Sequence, residues 1–203
     1  MTPRAQAYAQ EWDIPRVHGS YEALLADPDV DVIYNPLPNT MHAEWTIKAA
    51  AAGKHVLCEK PVVTTLDDLD RVEAAAAQYG VTVFEAFMYL HHPQMRRLQE
   101  LIAAGALGEV QMVNGWFHFY LPPERSSNIR LNRELGGGSL WDVGVYPNSA
   151  AIVVTGGKAP VAIERSSASA KAAWTCSCMR NSSLPRARWP RYRPACASPA
   201  AAA

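Results

Sequence analysis

His55-Val56-Leu57-Cys58-Glu59-Lys60-Pro61 is the stretch whose reading decides the fold. It begins as a buried strand and ends, without a turn, on two charges and a proline. Just upstream, residues 41–52 are alanine-rich and place Ala43, Ile47 and Ala50 on one helical face, with Gly53 as the C-terminal cap. Before them, residues 30–34 read Val-Asp-Val-Ile-Tyr, a β-branched run halted by Asn35-Pro36-Leu37-Pro38-Asn39. Downstream, Thr65 opens a helix with Leu66, Leu69, Val72 and Ala76 at helical spacing. Asp67 and Asp68 occupy its first turn, where the helix dipole favours negative charge. Gly80 ends that helix, and residues 81–87 form a third strand. Strand, helix, strand, helix, strand, with nearly continuous apolar strands, predicts a parallel sheet covered on both faces.

The pattern changes near residue 90. Residues 92–106 form an amphipathic helix through Met95, Leu98, Leu101 and Ile102. Residues 110–120 are rich in Val, Trp, Phe and Tyr and partly alternate, as an antiparallel strand with one solvated face does. Gly136-Gly137-Gly138-Ser139 then opens a helix that reaches about Val154, and residues 161–163 begin another strand. The expected class is therefore α/β. A parallel-sheet domain spans residues 1–90, and an α+β domain with an antiparallel sheet spans residues 91–166. Residues 167–203 are read as an irregular tail, rich in Arg, Pro, Ser, Ala, Trp and Cys without period. Two origins stay open for it: a genuine tail, or a gene read out of frame.

Composition narrows the function classes. The 203 residues carry 19 basic and 19 acidic side chains, so there is no electrostatic footprint for nucleic acid or a membrane surface. No apolar run approaches the roughly 20 residues that span a bilayer. No apolar signal core follows Met1, so a cytoplasmic location is expected, short of an export signal lost with an earlier N-terminus. Cys58 ends an apolar run and reads as a buried thiol. Cys176 and Cys178, spaced C-x-C with no histidine after them, give no metal-ligand pattern, so no metal is assigned.

Three groups of residues could carry chemistry. Pro36, Leu37, Asn39 and His42 lie at the C-terminal end of a parallel strand, where open α/β sheets bind ligands. Asn39 either caps the next helix or meets a ligand there. Glu59 and Lys60 end the next strand at the same rim, and Pro61 holds Lys60 out of helical geometry. Asp142 and Tyr146 stand four apart on one helical face. A free tyrosine is a poor base, but a lysine cation beside it would lower its pKa and make it a proton acceptor from an alcohol.

In order and spacing these segments resemble the Gfo/Idh/MocA oxidoreductases. The matching text is the strand at 30–34 with Pro-Leu-Pro-Asn-x-x-His, then residues 53–61 and Glu-Ala-Phe-Met-Tyr at 85–89 with His92-Pro93. It continues through residues 105–109 and Gly-Gly-Gly-Ser-Leu-Trp-Asp-Val-Gly-Val-Tyr-Pro at 136–147. The resemblance implies a Rossmann domain, then an α/β domain whose open antiparallel sheet faces the cleft and often mediates oligomers. It implies hydride transfer between NAD or NADP (NADP slightly preferred) and a hydroxyl-bearing carbon of a sugar, polyol or cyclic diol. By that likeness Lys60 orients the nicotinamide ribose and substrate, Tyr146 exchanges the proton, and Asp142 positions the substrate. Pro36, Leu37, Asn39, His42, Glu59 and Lys60 would line the cofactor. The tyrosine at 146 points to the glucose-fructose oxidoreductase, xylose dehydrogenase and dihydrodiol dehydrogenase branch.

One family element is missing from the sequence. The glycine-rich G-x-G-x-x-G turn that holds a dinucleotide pyrophosphate does not occur. The expectation is a partial Rossmann sheet lacking its first βαβ unit, an incomplete second domain, and a chain that folds poorly and turns over little. Two other readings stand beside the enzyme: a non-catalytic dinucleotide-binding relative, and an inactive gene fragment.

Overall fold

Three parallel strands set the frame of this computed structural model, which describes residues 3–125, 127–157, 162–166 and 176–180. Helices α1 (Pro3–Glu11) and α2 (Tyr21–Leu25) precede β1 (Val32–Asn35), and α3 (His42–Ala51) leads into β2 (His55–Cys58). Next come α4 (Leu66–Tyr79), β3 (Val83–Glu85) and α5 (Pro93–Ala103). The sheet order is β1-β2-β3, all parallel, with Asn35, Cys58 and Glu85 in register at the C-terminal rim.

Local chemistry fixes these helices much as the pattern predicts. The Thr65 hydroxyl accepts from the Asp68 amide at 3.2 Å to cap α4, and Gly80 closes it at φ 66°, a left-handed conformation that glycine adopts without strain. On α3 the buried face is Ala43, Thr46, Ala49 and Ala50. It lies on β1 and β2, with α4 packed beside it. Ala49, Val56 and Cys58 form the core, with Leu25, Ile33, Val62 and Val83 around them. Burial of Val56 contributes about 2 kcal/mol.

The expectation of a sheet covered on both faces is corrected here. Val32, Tyr34 and Phe84 are 57%, 54% and 49% exposed, and Leu57 beside them is also exposed. Strand order explains the bare face. A sheet that grows in one direction through right-handed crossovers puts every crossover helix on the same side. Helices reach the other side only where strand order reverses, and continuously apolar strands cannot report that.

The segment between α1 and β1 is held by charge. Arg16 donates to both carboxylate oxygens of Asp27 at 2.8 and 2.6 Å and to Asp29 at 2.8 Å. His18 Nε2 lies 2.7 Å from Asp27, and Lys54 Nζ donates to the Asp27 carbonyl at 2.8 Å.

The second half departs further from expectation. Residues 109–122 form no strand, although their composition suits one. A strand needs a neighbour's backbone, and none pairs with this segment among the described residues, so Trp116 and Tyr120 stand 76% and 80% exposed. Among the described residues the antiparallel pairing in this half is that of β4 (Ala162–Ser166) with β5 (Cys176–Arg180). The latter lies within the stretch read as an irregular tail. The rest of that tail, residues 167–175 and 181–203, lies outside the described residues. The glycine-opened helix begins as a π-helix, Leu140–Gly144, and continues as α6 (Val145–Val154). Among the described residues no helix is long and apolar enough to cross a membrane.

Candidate active site

Lys60 leaves the rim at the end of β2 through a cis peptide to Pro61. Its side chain is only 13% exposed and runs across to the second half of the chain. There Nζ donates to the Asp142 carbonyl and lies 3.5 Å from the Asp142 carboxylate. Arg130 Nε donates to the same carboxylate oxygen at 3.0 Å. Asp142 is thus held between two cations.

Tyr146 completes the cluster, in a geometry the sequence did not disclose. Lys60 Nζ stands 5.2 Å from the centre of the Tyr146 ring and meets its face rather than its hydroxyl. Phe87, Tyr89 and Phe117 pack edge-on around that ring at 5.8, 5.8 and 5.2 Å. Tyr89 and Ser149 share a 2.6 Å hydrogen bond, and the Ser149 hydroxyl donates to the Tyr146 carbonyl at 3.1 Å.

The expectation that Lys60 depresses the tyrosine pKa is corrected. Burial pushes the Tyr146 phenol up, and the Glu59 and Asp142 carboxylates push it further, while Arg130 opposes them. A phenol ringed by aromatics and facing two carboxylates keeps its proton.

The residues expected to line a dinucleotide divide into two sets. Pro36 is exposed at the rim, and Leu37, Glu59 and Lys60 are half-buried around the same opening. Glu59 accepts from the Tyr34 hydroxyl at 2.8 Å, which pushes that phenol up to about 12. Asn39 is engaged elsewhere and neither caps a helix nor stands open, because its amide donates to the Gly136 carbonyl at 2.9 Å. His42 is corrected outright as a cofactor-lining residue. It is 1% exposed, and both ring nitrogens are occupied by backbone carbonyls, so no ligand can touch it.

The glycine run serves packing. Gly136 sits at φ 75°, and a Cβ there would stand 2.8 Å from the Asn39 Cβ. A Cβ on Gly137 would lie within 2.7 Å of three carbonyl oxygens in the 129–132 turn.

Sequence reasoning missed Arg130, Phe87 and Phe117. Asn128 and Asn132 each accept from the amide two residues on, at 3.0 and 2.9 Å, which forms the turns that present Arg130. Those Asx turns were legible, but nothing in the sequence says that the arginine between them faces Asp142. Among the described residues no group of three His, Cys, Asp or Glu could hold a metal.

Two family descriptions match the chain: "Oxidoreductase family, NAD-binding Rossmann fold" over residues 1–87, and "GFO/IDH/MocA C-terminal domain" over residues 95–175. The chain belongs to the Gfo/Idh/MocA family. Its second match runs past Ser166 into the stretch read as tail. A D-xylose 1-dehydrogenase (NADP(+)) of Haloferax volcanii is 48% identical over 153 residues, which is 75% of this chain and 46% of that protein. A trans-1,2-dihydrobenzene-1,2-diol dehydrogenase of Xenopus tropicalis is 32% identical over 162 residues, covering 79% and 48%. Among solved structures, a 3-ketoreductase of Actinomadura kijaniata with NADP and TDP-benzene superposes with a TM-score of 0.65. It is 38% identical and covers 80% of this chain and 48% of that one. The same reductase has been solved with a tyrosine changed to phenylalanine and with a lysine changed to glutamate. The chain spans about half the length of the curated relatives it matches.

Proposed function

We propose that this chain carries the nicotinamide and substrate end of an NAD(P)-dependent oxidoreductase acting on a sugar, polyol or cyclic diol, with NADP slightly preferred over NAD. One observation carries the reading. Lys60, from the end of a parallel strand, bonds Asp142 and covers the ring of Tyr146, which both lie on a helix of the other half. A purely structural joint has no use for a buried lysine beside a proton-holding phenol. The relatives support the substrate class, since their names are those of a xylose dehydrogenase, a diol dehydrogenase and a ketosugar reductase.

Pro36, Leu37, Glu59, Lys60 and Tyr146 fit the nicotinamide end of a dinucleotide. The pyrophosphate end finds no glycine-rich turn in this sequence. When bound, the nicotinamide supplies or accepts the hydride. Lys60, fixed in place by Asp142, orients the substrate hydroxyl or carbonyl. Tyr146 holds the proton that a reduced carbonyl oxygen takes up. Its raised pKa keeps that proton in place near neutral pH, available to a carbonyl oxygen.

The test is turnover of D-xylose and of a 3-keto sugar nucleotide with NADP or NADPH. Tyr146→Phe is expected to lower kcat by about 100-fold or more, with cofactor affinity kept. Lys60→Ala is expected to lower kcat and raise KM. Equal turnover by parent and Tyr146→Phe would sink the assignment.

A further inference from the structure

We infer that His42 is a buried imidazolium that clasps two rim loops together. The geometry rests on what each ring nitrogen faces. Nδ1 lies 2.7 Å from the Pro61 carbonyl oxygen, and Nε2 lies 2.7 Å from the Leu37 carbonyl oxygen. A carbonyl oxygen only accepts. Neutral imidazole has one N–H and one lone pair, so a neutral ring would press a lone pair against an oxygen at hydrogen-bond distance. Only the doubly protonated ring satisfies both contacts, and at 1% exposure no water can stand in for a missing donor.

Two other histidines give the contrast. His55 Nδ1 accepts from the Thr82 amide at 2.9 Å, and His92 Nδ1 accepts from the Gln94 amide at 3.2 Å. In each of those rings one nitrogen accepts. His42 alone of the three meets carbonyls on both sides.

A buried cation requires an anion. The carboxyl and thiol groups at this end of the sheet are Glu85 on β3, Cys58 on β2 and Glu59 just beyond it, beside the Lys60 ammonium and the Tyr34 phenol. Burial pushes the Cys58 thiol up to about 12, so it stays uncharged. Glu59 is turned toward the Tyr34 hydroxyl and the Lys60 amide. Glu85 remains. Burial pushes its carboxyl up, while the hydrogen bond it accepts from the Val62 amide at 2.9 Å and the charge of His42 work in the other direction.

The consequence is positional. Leu37 lies in the loop after β1, and Pro61 follows Lys60 after β2. His42, on the first turn of α3, joins the two carbonyls and so sets the spacing between the loop at 36–39 and the lysine. It is a positioning residue. It acts through the backbone and touches no ligand.

The experiment is long-range proton–nitrogen NMR on the chain with ring-labelled histidine, with His42 assigned by its absence from a His42→Gln sample. Both His42 nitrogens are expected to carry protons at a pH where His55 and His92 each show one bare nitrogen. One unprotonated His42 nitrogen near neutral pH overturns the inference. So does a His42 signal that titrates together with exposed His91, which would mean that the clasp does not form in solution.

Discussion

At the scale of single residues, Tyr146 and its neighbours decide what the site can do. Burial is the largest influence on the phenol, Glu59 and Asp142 add to it, and Arg130 works against it. Two substitutions therefore move its ionisation in opposite directions. Glu59→Gln removes a carboxylate that opposes the phenolate, so tyrosinate should appear at lower pH in an ultraviolet titration. Arg130→Gln removes a favourable cation and should raise that pH. Unchanged titrations in both variants would show that Tyr146 does not feel this cluster. The chemistry carries the same sign. Carbonyl reduction needs the phenol protonated and should hold its rate through neutral pH, whereas alcohol oxidation should speed up as pH rises. Lys60, Asp142 and Tyr146 were legible as residues because each sits at a strand end or on a helix face. Their mutual geometry was not. Spacing along a helix says that Asp142 and Tyr146 share a face, but it is silent on whether a lysine from another element meets a hydroxyl or a ring.

Between elements, two joints can be tested. The first ties the Rossmann half to the glycine turn through Asn39 and Gly136. Gly136→Ala forces a side chain into the left-handed region and against the Asn39 Cβ, and should cost at least about 1–2 kcal/mol. Asn39→Ala removes only the hydrogen bond and should cost about 1 kcal/mol. Urea melts of the two variants should rank in that order, and the reverse order would mean that Asn39 does more than hold the turn. The second joint is the segment before β1. Hydrogen bonds from Arg16, the Asp29 amide and His18 hold the Asp27 carboxyl well below the usual carboxylate range. A carboxylate depressed in the folded state stabilises fully above its unfolded pKa, near about 3.9. That contribution is lost as pH falls from there toward the folded value. The parent's melting temperature should therefore fall below about pH 4. Asp27→Asn should melt lower at neutral pH and lose less in that acid window. These joints were hidden from the sequence because Arg16, Asp27, Asn39 and Gly136 belong to loops, where no period marks the partner.

For the molecule as a whole, the decisive feature is the side of the sheet that α3 and α4 leave open. The strands and crossover helices were readable from Gly53, Thr65 and Gly80, which punctuate them. Coverage was not, because it depends on strand order rather than on the strands themselves. Val32, Tyr34, Leu57 and Phe84 project toward solvent from three adjacent strands, and together they make a continuous apolar surface of the kind soluble chains seldom expose. The hydrophobic effect should therefore act between copies of this chain as well as within it. Phe84→Lys and Val32→Thr together place polar atoms on that surface without entering the core of Ala49, Val56 and Cys58. They should lower binding of a hydrophobic fluorescent dye and the light scattering of concentrated samples while leaving the melting temperature within a few degrees. A control pair on the covered face separates patch from core: Val56→Thr and Ala49→Ser should lower the melting temperature and raise dye binding. Should Phe84→Lys with Val32→Thr instead unfold the chain, the exposed face would have to be buried in solution, and the one-sided sheet would not be the folded state.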